Sequence, residues 1–204
     1  MDIVTFEDDK AAKTLREGKI LALPTETVYG LAVCWDDGKA YERLVETKRR
    51  RPDKAIACMC ADTFDFEKYF VLDEGIRRVM AHFLPGPLTI LVRGKETVPF
   101  QSHLGTGVCG IRVPGKEDLL SFLRAFGKPL QATSANLSGN PPLHDWQSVY
   151  EQFRDDENIG AIVRGECQSD IPTTVVDLTG EEPILIRQGE IRIESIKEIY
   201  HGKH

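Results

Sequence analysis

No stretch of this sequence offers the roughly 20 consecutive apolar residues that a membrane-spanning helix requires. Nor does a basic, apolar leader open it: the first ten residues, MDIVTFEDDK, are acidic where a secretory signal is basic. Both absences lead us to expect a cytoplasmic protein with no membrane association. Cysteine is sparse. The five thiols, Cys34, Cys58, Cys60, Cys109 and Cys167, are odd in number and scattered, which fits reduced side chains in the cytosol rather than a disulfide framework. Cys58 and Cys60 form a C-x-C in the strand-like run AIACMC, and the two-residue period of a strand puts both on one face. With no second pair and no neighbouring histidine they read as core, not as zinc ligands, and no metal held by protein residues is expected.

An excess of positive charge is missing too. Lys and Arg number 26 against 32 Asp and Glu, a formal net charge of -6. A domain that coats nucleic acid by bulk electrostatics is ordinarily basic, so any RNA contact has to come from a local patch. Internal repeats, low-complexity tracts and Pro-, Gly- or Ser-rich linkers are also absent. What is left is an ordinary globular composition, 41% hydrophobic over 204 residues, suited to one domain with a sizeable core.

Apolar periodicity and chain breakers supply the elements. Ala11, Ala12 and Leu15 predict a short helix closed by Gly18, and KILAL then reads as a buried strand. Tyr41, Leu44, Val45 and Lys48 keep the i, i+3, i+4, i+7 spacing of a helix running from Gly38 to Arg51, ended by Pro52. AIACMC, LTILV, VCGIRV and LQATS read as strands. Three further helices are marked by Ile76, Val79, Met80 and Phe83, by Leu119, Leu120, Phe122, Leu123 and Phe126, and by Trp146, Val149, Tyr150 and Phe153. Toward the end AIV, TTVVDL and ILIRQ are strand-like, the last two joined by TGEEP as a hairpin, and the tail HGKH is expected to fray. Strands interleaved with helices predict an α/β protein with a mixed sheet.

Two nucleotide-binding patterns fail on context. GTGVCG fits G-x-G-x-x-G, but its glycines lead into a strand instead of opening a helix. GIRVPGKE approaches a P-loop, yet Glu117 stands where a magnesium-binding hydroxyl belongs, and a carboxylate there would repel the phosphates.

Three polar stretches remain. In LALPTETVYGLA, Thr25, Glu26 and Thr27 follow a buried strand directly. That is either turn chemistry or a pair of hydroxyls and a carboxylate shown to a small polar ligand. KRRRPDK places five basic residues at the end of a helix, where they complement its dipole; however, Lys48 continues the apolar stripe and has to snorkel, pair or line a cavity. With Arg50 it would suit a polyphosphate, lysine as a compact charge and arginine as a planar fork. TSANLSGNPP sets Thr133, Ser134, Asn136 and Ser138 just past a strand, where ligands of α/β sheets tend to sit, though these are also ordinary turn residues. Ser134, His144 and Asp145 have the residue types of a hydrolase triad, but His144 and Asp145 are adjacent, and Asp145 reads as the N-cap of the Trp146 helix.

Taken together, LPTETVYGLA, Lys48-x-Arg50, GIRVP, TSANLSG, TTVVDL and LIRQG occur in the order found in YrdC-like threonylcarbamoyl-adenylate synthases, and the chain resembles that family from about residue 10 to 190, in a short form limited to the catalytic domain. The resemblance implies a single domain with a twisted, mixed and largely antiparallel sheet, flanked by helices around a basic concave cavity. It also implies a cytoplasmic enzyme that condenses L-threonine, bicarbonate and ATP, with Mg2+, to threonylcarbamoyl-AMP and pyrophosphate. Downstream proteins would transfer the threonylcarbamoyl group to tRNA, with no more than a weak tRNA contact by this chain. Carried over by position, Lys48, Arg50, Ser134 and Asn136 would be catalytic. Those four with Lys54, His144 and Arg187 would bind ATP, and Thr27, Arg112 and Thr173 would bind threonine. Gly30 would let the backbone approach the ligand.

The chain departs from the family in two places. It reads Lys48-Arg49-Arg50-Arg51-Pro52 where many relatives have Lys-x-Arg-Pro, which leaves Arg49 and Arg51 as alternative partners of Lys48; Arg50 is kept because Asp53-Lys54 then falls into line. Met59 stands where some relatives have a histidine that contacts threonine, which bears on amino-acid selectivity. Three other readings fit parts of the pattern: an RNA-binding module using the same basic surface, a relative that has lost activity, and a carbamoyl-adenylate domain from hydrogenase maturation. The last belongs to much larger proteins with cysteine-pair zinc modules, which this chain lacks.

Overall fold

The computed structural model describes residues 1–50, 56–63, 66–99 and 104–203. Their elements are β1 (Asp2–Val4), α1 (Asp9–Arg16), β2 (Ile20–Leu23), β3 (Gly30–Cys34), α2 (Gly38–Thr47), β4 (Ala57–Met59), α3 (Phe66–Tyr69), β5 (Phe70–Val71) and α4 (Glu74–Phe83), then β6 (Leu88–Gly94), β7 (Val108–Arg112), α5 (Glu117–Phe126), β8 (Leu130–Ser134), α6 (Trp146–Phe153), β9 (Ile159–Val163), β10 (Thr174–Asp177), β11 (Ile184–Arg187) and α7 (Ile193–Tyr200). The strands join in one mixed sheet, ordered β1-β9-β2-β3-β8-β4-β7-β6-β10-β11, with β5 added beside β6. Pairs β1/β9, β2/β9, β4/β7 and β6/β10 are parallel; the remaining pairs are antiparallel. No helix among the described residues is long and apolar enough to cross a membrane.

Local chemistry sets most helix ends. Asp8, Asp37, Asp73 and Asp145 each accept a backbone N–H at the start of α1, α2, α4 and α6, satisfying donors the first turn leaves open. At the end of α1, Gly18 N donates to Leu15 O and Lys19 N to Thr14 O, with Gly18 at φ 71°. This is a Schellman cap built on the residue best suited to the left-handed conformation. Helix α2 closes in the same way: Arg49 N donates to Glu46 O, and Arg50 N to Val45 O. Here the left-handed position is Arg49, at φ 47°. The expected run of α2 to Arg51 is therefore too long, because the helix stops at Thr47 and the cap, with no glycine to announce it, reverses the chain before Pro52 is reached.

In β4, β7, β6 and β10, alternate residues serve two different purposes. Cys58, Cys109, Ile111, Ile90, Val92 and Val176 pack into the same core as Ile76, Val79 and Met80 of α4 and Ile196, Ile199 and Tyr200 of α7. Their neighbours Ala57, Met59, Val108, Gly110, Arg112, Thr89, Leu91 and Val175 face a cavity on the other side. The reading of Cys58 and Cys60 as core residues on one face holds, with both buried and their sulfurs 3.8 Å apart. Elsewhere α2 and α6 cover Ile20, Ala22, Leu31 and Val33, while α1 and α5 cover Leu21, Leu23, Ala32 and Ala161. The sequence reading did not assign β1, β3, α3, β5 or α7. Strand β3 is buried at every position and so shows no alternation to read. The tail beyond Tyr200 begins as a turn at His201–Gly202.

Candidate functional site

The cavity has a volume of about 820 Å³, within the range of small-molecule sites. Its described lining includes three arginines, Arg50, Arg112 and Arg187, and no carboxylate, in a chain whose net charge is -6. Hydroxyls and amides of Thr25, Thr27, Thr89, Ser134, Asn136, Asn140 and Thr173 share the wall with apolar groups of Val28, Ile56, Met59, Leu91, Val108 and Ile186. The site is thus cationic and rich in hydrogen-bonding groups over an apolar floor.

The Thr25–Thr27 turn answers both readings of its sequence. Thr25 Oγ1 donates to Val28 O at 2.8 Å and accepts from Thr27 N at 3.1 Å, a local turn of the kind short hydroxyl side chains form. Tyr29 anchors the turn from inside the core, its hydroxyl donating to Val163 O, and burial raises its pKa. The same turn faces a cavity-lining cation: Arg112 Nη2 lies 2.9 Å from Thr27 Oγ1, 2.8 Å from Glu26 Oε1 and 3.3 Å from Thr25 Oγ1. Glu26 itself is buried and absent from the lining; it holds the guanidinium from behind. A Cβ on Gly30 would meet nothing closer than 3.5 Å, so packing alone does not demand glycine at this lining position.

Arg187 is held in a comparable way. Its Nε and Nη2 donate to Thr173 O at 3.0 and 2.9 Å, and Nη2 also to Thr173 Oγ1 at 2.9 Å. The Thr173 hydroxyl pairs with Thr89 Oγ1 at 3.0 Å. Burial, and after it the charge of nearby Arg112, press the Arg187 pKa below the usual guanidinium value. Two guanidinium groups that repel each other across a cavity define a position where an anion is stabilised.

At the Ser134 side, Arg50 lines the cavity while Arg49 is exposed and does not. Lys48 is 2% exposed. Its Nζ donates to Ser134 O, to Asn136 O at 2.8 Å and to Asn136 Oδ1 at 3.1 Å. Asn136 Oδ1 also accepts from Ser134 Oγ at 2.6 Å. Arg51 and Lys54 lie outside the described residues. Of the residues singled out from sequence, Thr27, Arg50, Arg112, Ser134, Asn136, Thr173 and Arg187 come together on one cavity, with Lys48 behind its wall. His144 does not join them: it lines a separate recess with Asp145, Gln147, Glu166 and Cys167. Asp145 caps α6, accepting from Ser148 N and Ser148 Oγ, each at 2.8 Å. Thr89 and Asn140 were missed. Thr89 passes as a strand former within LTILV, and no signal marks it; Asn140 lies in the polar loop TSANLSGN.

The Sua5/YciO/YrdC family model, described as telomere recombination, matches residues 13–189. Over 194 residues the chain is 35% identical to a threonylcarbamoyl-AMP synthase of Pyrococcus abyssi, a match covering 93% of this chain and 56% of that protein. Over 186 residues it is 28% identical to Escherichia coli YciO, described as uncharacterized, covering 89% and 88% of the two chains. The crystal structure of P. abyssi Sua5 complexed with L-threonine matches the fold with a TM-score of 0.86 at 34% identity, over 93% of this chain and 56% of that one. The crystal structure of E. coli YciO matches with a TM-score of 0.84 at 26% identity, over 92% and 91%. The chain therefore spans little more than half the length of the Pyrococcus protein and nearly all of YciO.

Proposed function

The chain belongs to the Sua5/YciO/YrdC family, and from that premise we propose that it condenses L-threonine, bicarbonate and ATP to threonylcarbamoyl-AMP and pyrophosphate, for transfer to tRNA by downstream proteins in the cytoplasm. The observation that carries the reading is the cavity lining, which among the described residues has three arginines and no carboxylate. In this chemistry bicarbonate supplies carbon dioxide, the threonine amine adds to its carbon and loses a proton to give a carbamate, and that proton leaves with the hydroxide from bicarbonate as water. A carbamate oxygen then attacks the α-phosphorus of ATP, forming the new P–O bond as the bond to the departing pyrophosphate breaks. Nucleophile and target are both anionic, so fixed cations that need no reorganisation lower the barrier, and one cavity for both substrates removes the entropy of their meeting.

In this reading Arg50 and the Ser134–Asn136 turn take the nucleotide end, with Lys48 behind the turn. Arg112, held by Thr25, Glu26 and Thr27, takes the threonine carboxylate. Arg187, held by Thr173, contributes positive charge between them. Lys54 is assigned to the nucleotide on the resemblance alone, and His144, whose ring belongs to another recess, is given no role. Magnesium enters as part of the MgATP substrate, because the described lining is one of hydroxyls, amides and guanidinium groups without a carboxylate to hold a resident ion. The L-threonine bound to P. abyssi Sua5 supports the amino-acid substrate.

The test is pyrophosphate release from MgATP by the purified chain, with and without L-threonine and bicarbonate. Dependence on both, lost in Arg50→Ala and Ser134→Ala, supports the synthase. The cationic lining of the cavity keeps one second reading, a family member that binds RNA on the same basic surface without turnover. Folded protein that releases no pyrophosphate with any amino acid, but binds RNA in a salt-sensitive way, establishes that alternative.

A further inference from the structure

Lys48 sits in an unusual place for a residue expected to grip phosphate. An ammonium has three N–H donors, and three oxygens surround this one: Ser134 O, Asn136 O and Asn136 Oδ1. The main chain repeats the attachment, since Lys48 O accepts from Ser138 N at 3.0 Å. Asn136 is equally engaged. Its Oδ1 accepts from both Lys48 and Ser134 Oγ, and its Nδ2 donates to Leu137 O at 3.1 Å and Asn140 O at 2.6 Å. Ser134, Asn136 and Asn140 line the cavity, and Lys48 does not.

The end of α2 accounts for this division. The left-handed turn at Arg49 reverses the chain between Lys48 and Arg50, so one side chain enters the wall while the other reaches the cavity.

We propose that Lys48 is a positioning residue: its ammonium fastens the 134–140 turn from behind and makes no contact with the nucleotide phosphates. The turn is thereby held in the shape that presents Ser134 beside Arg50. Burial, followed by the charge of Arg50, brings the Lys48 pKa down to about 7, as befits an amine removed from water. The affinity part of the test below rests on the proposed nucleotide site; the exchange part does not.

Hydrogen exchange at the Ser138 and Asn140 amides is compared between wild type and Lys48→Met, without nucleotide. Equilibrium binding of ATP, ADP and AMP is then measured for both proteins. A positioning role predicts exchange faster by about tenfold or more in the variant, and affinity lost by the same factor for all three nucleotides, because a misshapen turn does not count phosphates. Unchanged exchange, with a loss graded from ATP through ADP to AMP, overturns the inference, since a direct contact weakens with each charge removed. If wild type binds no nucleotide, the functional proposal fails and exchange alone decides: faster exchange sustains the positioning role, and unchanged exchange refutes it. Should Lys48→Met not fold, nitrogen NMR of the Lys48 ammonium in wild type replaces it. A resonance left in place by ATP supports the inference, and a large displacement rejects it.

Discussion

Arg112 and Glu26 form an ion pair at 2.8 Å with side chains 11% and 9% exposed. Removing one partner of such a pair strands the other charge away from water, which costs about 3–5 kcal/mol. Arg112 Nε and Glu26 Oε2 are already buried without a partner among the described residues, so the cluster has little spare compensation. Glu26→Ala is therefore expected to lower stability by about 3 kcal/mol or more and to leave Arg112 poorly aimed. Glu26→Gln, which keeps an acceptor for Nη2, should cost about half as much or less. Urea unfolding of both variants checks this. Equal destabilisation by the two would mean that packing, not the charge pair, is what Glu26 supplies.

The two Schellman caps predict a simple stabilisation. Gly18 and Arg49 hold equivalent positions after α1 and α2, both left-handed, and an L side chain in that conformation costs about 1 kcal/mol. Arg49 is exposed and absent from the cavity lining. Arg49→Gly should then raise stability by about 0.5–1 kcal/mol, or a few degrees at most in Tm for a chain of this size, while nucleotide affinity stays the same. A fall in Tm would show that the arginine side chain contributes more than its backbone strain removes.

How far the sequence could be read depended on whether the information was local. Tyr41, Leu44 and Val45 showed the buried stripe of α2, and Lys48 on that stripe is indeed buried. Its oxygen partners lie 86 and 88 residues further along the chain, and they arrive only because β8 pairs with β3 and β4. The premature end of α2 carried no signal, because arginine there takes a conformation that glycine normally announces. The run Thr25-Glu26-Thr27 stood out, yet its task of orienting Arg112 became visible only with β7 in place. Asp145 was read as a cap and is one. The residues from Arg51 to Ala55, among them Lys54, lie outside the described chain.

Lys48 also imposes a pH dependence on stability. Its folded pKa of about 7 lies below the ordinary lysine value of 10.5, so between these two values the unfolded chain binds a proton that the native state has released. Stability then rises as pH increases through this window, and the gain is lost as pH falls through about 7. In Lys48→Met this contribution disappears. The difference in unfolding free energy between wild type and variant should therefore change by a few kcal/mol between pH 7 and 10, in favour of wild type at the alkaline end. Urea titrations across that range measure it directly. A flat difference would mean that the three surrounding oxygens keep the ammonium charged throughout.

Met59 faces Arg112 across the parallel β4/β7 pair, and both line the cavity. If Arg112 holds the carboxylate of the amino acid, Met59 borders the substrate side chain, together with the apolar groups of Ala57, Leu91, Val108 and Val175. A thioether is a weak acceptor and no donor, so at this wall a threonine hydroxyl gains little that the isosteric valine lacks. An apolar pocket separates such a pair by about 10² or less, whereas a site built to bond the hydroxyl reaches about 10⁴–10⁵. The expectation is a threonine-to-valine ratio of kcat/KM in pyrophosphate release no larger than about 10², raised in Met59→His, where an imidazole can bond the hydroxyl. A wild-type ratio near 10⁴ would sink this account. Selectivity would then have to come from hydroxyls already on the wall, with Thr27 the first to replace, and Met59 would be filler beneath the site.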